Sequence, residues 1–118
     1  MSMDRCFAGV DVGSATAKAV LVDIEGRMIV YALRPSGGKL AEAAELVLQE
    51  ALDKAHIARD AVAAIVATGY GRDTVPGRTK SVTEITCHAR GAHALNPAVR
   101  AVIDIGGQDS KAIALGAD

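Results

Sequence analysis

Between residues 39 and 56, apolar side chains recur at Leu40, Ala44, Val47, Leu48, Ala51, Leu52 and Ala55. That three-and-four spacing places them on one face of a helix. Glu42, Glu45, Glu50, Asp53 and Lys54 fall mostly on the opposite face. The spacing predicts an amphipathic helix over 39–56, and a helix with a single apolar stripe needs another layer to cover it. The flanking sequence supplies one. Short apolar runs at 7–12, 17–23 and 28–33 are joined by Gly13 and by the turn dipeptide Glu25-Gly26. Three consecutive strands with tight connections form an antiparallel meander.

Pro35-Ser36-Gly37-Gly38 separates the meander from the helix. After the helix, an apolar run at 62–67 ends at Thr68-Gly69 and reads as a buried strand, reached by a crossover onto the same sheet. Residues 70–80 read as a Gly- and Arg-rich loop. A second helix is expected over 83–94, ended by Asn96-Pro97, then another buried strand at 101–105, closed by Gly106-Gly107, and a further strand at 110–115. The expected fold class is α/β: a mixed sheet with an antiparallel three-strand meander plus helices. At 118 residues the chain has room for one modest core, which fits a single domain over 1–118. Half of the residues are apolar but only 3% are aromatic and none is Trp, so that core is built from Ala, Val, Ile and Leu.

The net charge of −1 comes with no run of Lys or Arg, which argues against nucleic acid or an anionic membrane as a partner. The longest apolar stretches are too short to span a bilayer, and the N-terminal residues show no signal-peptide pattern, so a cytoplasmic location is expected. Cys6 and Cys87 are isolated thiols without CxxC spacing. In a cytosolic chain they are not expected to form a disulfide, and alone they do not make a metal site.

One phrase occurs twice. Asp11-Val12-Gly13-Ser14-Ala15-Thr16-Ala17-Lys18 and Asp104-Ile105-Gly106-Gly107-Gln108-Asp109-Ser110-Lys111 each place an Asp near the end of an apolar strand, followed by Gly. A carboxylate there can reach a hydrated Mg2+. Gly13, and the pair Gly106 and Gly107, let the backbone approach an anion closely. Ser14 and Thr16 offer hydroxyl donors, Ala15 lies in the same turn, Lys18 offers compensating charge, and Gln108 can orient a water or a phosphate oxygen. Either phrase alone is an ordinary turn; the pair, each behind a hydrophobic strand, points to phosphate. The pattern is neither a P-loop nor a dinucleotide fingerprint. A third candidate lies at Thr68 to Arg72, where Gly69 and Gly71 also serve a plain strand-to-loop turn. Arg72 is equally suited to a partner interface.

The two Asp-Gly phrases, set on a meander with a following helix, resemble the phosphate motifs of the ribonuclease-H-like lobe in the actin, Hsp70 and sugar-kinase ATPase superfamily. Three segments narrow the resemblance: Ala67-Thr68-Gly69-Tyr70-Gly71-Arg72, Thr83-Glu84-Ile85-Thr86-Cys87-His88-Ala89-Arg90-Gly91-Ala92, and Val102 to Lys111. Together they look like the BadF/BadG/BcrA/BcrD ATPase family, over essentially the whole chain. That resemblance implies an ATPase whose members activate 2-hydroxyacyl-CoA dehydratases or serve benzoyl-CoA reductase. Such members work as homodimers or paired homologous subunits that share one [4Fe–4S] cluster, and ATP drives conformational work that delivers an electron to the CoA-thioester enzyme.

Carried over by residue, the resemblance makes Asp11, Asp104 and Gln108 the catalytic candidates. It makes Gly13, Ser14, Ala15, Thr16, Lys18, Gly106, Gly107 and Gln108 the ATP/ADP-binding ones. Asp11 and Asp104 hold Mg2+ through water, and Cys87 is a cluster ligand; without the family context Cys87 reads as a small residue buried on a helix. Cys6 matches no ligand. No stretch here resembles the family's second cluster cysteine, its adenosine motif or its cleft wall, so 1–118 is expected to be an N-terminal lobe from a two-lobe protein, inactive alone. Two other readings compete: a noncatalytic ribonuclease-H-like binding module, and a sugar-kinase-like phosphotransferase lobe.

Overall fold

The computed structural model describes residues 5–105 and 110–116, with the backbone alone at 104, 105, 110 and 111. The chain forms two compact units, Met1–Ser81 and Val82–Asp118.

The first unit begins with the expected meander: β1 over Cys6–Val12, β2 over Thr16–Val22 and β3 over Met28–Pro35. The helix α1 spans Leu40–Ala55, and β4 follows over Val62–Thr68. The segment expected as plain loop contains a 3-10 turn at Arg72–Thr74 and a two-residue strand, β5, at Lys80–Ser81. β5 has no apolar run to announce it. It exists because Lys80 and Ser81 pair in parallel with Val66 and Ala67 of β4. The sheet order is β3-β2-β1-β4-β5, antiparallel within the meander and parallel from β1 to β4 and from β4 to β5. This is the mixed α/β architecture the sequence pattern calls for.

Side chains alternate across a strand, and β1 uses the alternation cleanly. Cys6, Ala8, Val10 and Val12 are buried, whereas Phe7 is exposed and Gly9 and Asp11 are half-buried on the other face. The buried set meets α1, which contributes Ala43, Ala44, Val47, Leu48, Ala51 and Leu52. Alanines on both layers let helix and sheet lie close, so methyl groups and Val or Leu side chains fill a core that has no aromatic ring in it. Each fully buried Val or Leu adds roughly 1.5–3 kcal/mol relative to exposure. The helix stops at His56, which adopts the left-handed conformation at φ 56°, and Ile57 N–H then donates back to the Leu52 carbonyl. The last turn is tied to the sheet edge by Lys54, whose Nζ donates to the Tyr31 carbonyl at 3.0 Å. In the β2–β3 turn, the Asp23 carboxylate accepts the N–H groups of Arg27 and Glu25, each at 2.9 Å. The Arg27 N–H, more than any other contact, holds that carboxyl below its ordinary range.

The second unit contains α2 over Glu84–Leu95, β6 over Ala101–Ile105 and β7 over Ser110–Ala114. β6 and β7 form an antiparallel ladder with α2 packed on it. The structure corrects the expectation of a buried strand at 101–105: Ile103 is 77% exposed. A two-stranded ladder with one helix has one covered face. Val102 and its partner Ile113 lie on that face, Ile113 at 8% exposure, while Ile103 and its partner Ala112 point away from it. Thr83 caps α2, its hydroxyl accepting the Thr86 N–H at 3.4 Å. At that length the cap is a weak one, and Thr83→Ala is expected to cost the helix no more than about 1 kcal/mol, read as a small drop in the urea midpoint followed by circular dichroism. Among the described residues, no helix is long and apolar enough to cross a membrane.

Candidate functional site

The carboxyl end of β1 is where the first unit gathers its unusual chemistry. β1 and β4 run parallel, so their carboxyl ends share one edge of the sheet, the usual location of ligand sites in such sheets. Asp11 is paired with Lys18 of β2 on one side and Thr68 of β4 on the other. The Lys18 ammonium lies 3.7 Å from the Asp11 carboxylate, with the lysine side chain 55% exposed. An exposed pair of this kind holds the carboxylate loosely, at no more than about 1 kcal/mol.

The β1–β2 turn is tightly built. Gly13 N–H donates to the Thr16 carbonyl at 2.9 Å, which closes the turn and leaves Ser14 and Ala15 exposed at its tip. A second clamp comes from far along the chain. Ser36, only 4% exposed, donates its hydroxyl to the Gly13 carbonyl at 2.6 Å and its N–H to the Ala15 carbonyl at 2.9 Å. Ser36 thus engages two carbonyls of the turn, those of Gly13 and Ala15. Nothing in the local pattern around Pro35-Ser36 announces this role, because its partner lies 23 residues away.

The turn after β4 closes over the same edge. Gly69 has φ +92°, and Gly71 N–H donates to the Val12 carbonyl at 2.8 Å. A side chain at Gly69 has no room: a Cβ there would strike the Asp11 carboxylate and come within 2.6 Å of the Val12 carbonyl oxygen. The turn continues with Arg72, whose guanidinium donates to the Gly69 carbonyl at 3.1 Å, and Thr74, whose hydroxyl donates to the Gly71 carbonyl at 2.7 Å. Arg72 is therefore engaged within its own turn. Between the two turns lies Thr68, 9% exposed, with its hydroxyl oxygen buried and without a hydrogen-bond partner among the described residues.

The structure brings together Asp11, Gly13, Ser14, Ala15, Thr16 and Lys18, and adds Ser36 and the Thr68–Gly71 turn to them. Asp104 lies in the second unit, on β6, with Lys111 as its backbone partner. Gly106, Gly107 and Gln108 lie outside the described residues. Cys87 is half-buried on α2, one turn past the Thr83 cap, and its N–H donates to the Thr83 carbonyl at 3.1 Å. Cys6 is 1% exposed in the core, and burial pushes its thiol's pKa up, away from the thiolate that metal ligation needs.

Residues 8–118 match the BadF/BadG/BcrA/BcrD ATPase family. The chain belongs to that family. Among curated BadF/BadG/BcrA/BcrD relatives, the activator of lactoyl-CoA dehydratase from Anaerotignum propionicum is 41% identical over 107 residues, covering 91% of this chain and 41% of that protein. A benzoyl-CoA reductase subunit from Thauera aromatica is 34% identical over 113 residues, covering 90% and 39%. The chain therefore spans about two fifths of the length of the curated relatives it matches. Of solved structures, the activator of the 2-hydroxyisocaproyl-CoA dehydratase from Clostridium difficile, with bound ADPNP, superposes with a TM-score of 0.86 at 33% identity, over 95% of this chain and 41% of that one. The fold itself reaches further. A ROK-family glucokinase from Streptomyces griseus matches with a TM-score of 0.66 at 18% identity, over 96% of this chain and 45% of that one, so the fold is shared with a sugar kinase.

Proposed function

We propose that the chain is the N-terminal, nucleotide-binding lobe of a two-lobe, ATP-dependent electron activator that serves a 2-hydroxyacyl-CoA dehydratase or a benzoyl-CoA reductase. The observation that carries the reading is the built edge at the end of β1, found in a chain of this ATPase family. There a half-buried carboxylate, a doubly clamped turn and a glycine turn meet.

The residues fit a magnesium nucleotide. Among the described residues Asp11 is held only by a weak ion pair, which leaves it available to a hydrated cation. Gly69 and Gly71, where a Cβ would strike Asp11, Val12 and Leu40, let their turn seat closely beside the Asp11 carboxylate. In this reading the 13–16 turn faces the phosphates, with Gly13 and Ala15 keeping the approach narrow, Ser14 and Thr16 donating hydroxyls, and Lys18 offsetting charge. The resemblance assigns Asp104, Gly106, Gly107 and Gln108 to the family's second phosphate motif, with Gln108 orienting the attacking water, and names Asp11 and Asp104 as the carboxylates that hold the cation through water. When bound, the magnesium nucleotide supplies the energy of its terminal phosphoanhydride, and the cluster supplies a low-potential electron.

For the [4Fe–4S] cluster, the donor set among the described residues fits one ligand per chain. Cys87 is accessible on α2 and Cys6 is locked in the core. A cubane takes four thiolates, so a cluster shared by two copies, or by a paired homologous subunit, draws its remaining ligands from the second lobe. The likeness to dehydratase activators and to a reductase subunit supports a CoA-thioester enzyme as electron acceptor. The near-neutral charge, without a run of Lys or Arg, supports a protein that engages neither nucleic acid nor an anionic membrane surface, and the proposed location is cytoplasmic.

The test is anaerobic. Full-length protein, reconstituted with iron and sulfide, is expected to carry iron and to hydrolyse ATP, and Cys87→Ala is expected to lose nearly all of the iron while still binding nucleotide. Iron-free wild-type protein, or a Cys87→Ala variant with a full cluster, would falsify the electron-transfer reading.

A further inference from the structure

Thr68 ends β4 beside Asp11, its partner across the parallel ladder. Its residue surface is 91% buried, and its hydroxyl oxygen has no hydrogen-bond partner among the described residues. Burying a hydroxyl without a partner is unfavourable, and such groups in folded proteins call for a reason. The position offers an obvious alternative. Valine has the same branched shape, suits a strand at least as well, and carries no polar atom to strand. A chain that builds its core from Ala, Val, Ile and Leu holds a threonine here, on the sheet face that carries Asp11 rather than on the face under α1. The neighbouring backbone is shaped around the same spot: Gly69 takes φ +92° and lies against both the Asp11 carboxylate and the Val12 carbonyl. The buried hydroxyl thus belongs to a residue flanked by the glycine turn in sequence and by Asp11 across the ladder, the carboxylate assigned above to a hydrated cation.

We propose that Thr68 is a positioning residue for that cation: its hydroxyl oxygen accepts a hydrogen bond from a water in the hydration shell, and so fixes which face of the shell meets Asp11. This rests on the nucleotide reading above and adds to it a residue that touches neither phosphate nor metal. The fold has already desolvated the hydroxyl, so the incoming water has no bound solvent to displace from it. The same logic separates the role from a structural one. A structural hydroxyl would be missed by the fold when removed, whereas a positioning hydroxyl would be missed only by the cation.

The experiment compares full-length wild type, Thr68→Val and Thr68→Ser. Affinity for a fluorescent ATP analogue is titrated in EDTA and again in excess Mg2+, and each variant's urea midpoint is recorded. Thr68→Val is expected to bind in EDTA as wild type does, to lose about 3- to 10-fold of the Mg2+-dependent gain in affinity, and to unfold at the same or a higher urea concentration. Thr68→Ser, which restores the oxygen, is expected to recover the gain. The proposal is overturned if Thr68→Val keeps the full Mg2+ gain, or if it unfolds markedly earlier, which would mean the hydroxyl is structurally engaged. Wild type that binds nucleotide with no Mg2+ gain overturns the proposal and leaves the nucleotide reading standing. Wild type that binds no nucleotide under either condition overturns the nucleotide reading, and this proposal with it.

Discussion

Gly69→Ala is expected to lower the stability of the first unit by about 2–5 kcal/mol, measured as a drop in the urea midpoint with an unchanged slope. Two costs combine. The backbone at φ +92° is one that residues with a Cβ rarely adopt, worth roughly 1–2 kcal/mol. The second cost is steric. The added methyl would meet the Val12 carbonyl oxygen at 2.6 Å and the Asp11 carboxylate closer still. A carboxylate can swing aside, but a carbonyl in a paired strand cannot, so relief must come from moving the turn and loosening the Gly71 N–H bond to Val12. Overpacking of that kind costs about 1–3 kcal/mol. Small domains are stable by only about 5–15 kcal/mol, so a loss of this size leaves the unit near its threshold. A Gly69→Ala protein with wild-type stability would show that the turn is not seated as described.

Asp11→Asn is expected to do the reverse: little to the fold and much to the chemistry. The side chain keeps its shape, and the ion pair it gives up is exposed and worth no more than about 1 kcal/mol. The amide, however, cannot supply the negative charge that a hydrated cation requires. Removing a single group that stabilises the reacting charge lowers kcat by about 100-fold or more in well-studied cases. The expected result is therefore a full-length protein with a wild-type urea midpoint and an ATPase rate reduced about 100-fold. Hydrolysis at the wild-type rate would remove Asp11 from the site. The two variants together separate the scaffold of this edge from its charge.

Much of the fold could be read from the chain because the signals are local. The meander, α1 and β4 each follow from periodicity over a handful of residues, and their observed ends fall within one or two residues of the expected ones. β5 was not legible, since Lys80 and Ser81 are polar and become a strand only by pairing with β4. The exposure of Ile103 was hidden for a related reason: an apolar pentapeptide looks the same whether its sheet has two strands or five. Of the candidate site, Asp11 and the 13–16 turn are the part that the Asp-Gly phrase singles out in the sequence. The Ser36 clamp did not, because a serine after a proline is an ordinary loop residue until its partner 23 positions away is known. Thr68 stood in a segment already singled out, but the sequence carries no sign that its hydroxyl is buried without a partner among the described residues.

The alternation along β1 has a consequence for how the edge is inherited. Asp11 sits between Val10 and Val12, which are 1% and 0% exposed under α1. A slip of one residue would turn the carboxylate into the core and a valine out to the edge, and the chain would lose its packing together with its aim. The orientation of Asp11 is thus guarded by two neighbours that never meet a ligand. Any cellular check that rejects an unpacked chain also rejects a misdirected carboxylate, so those copies that survive folding arrive with the carboxylate already pointed the right way.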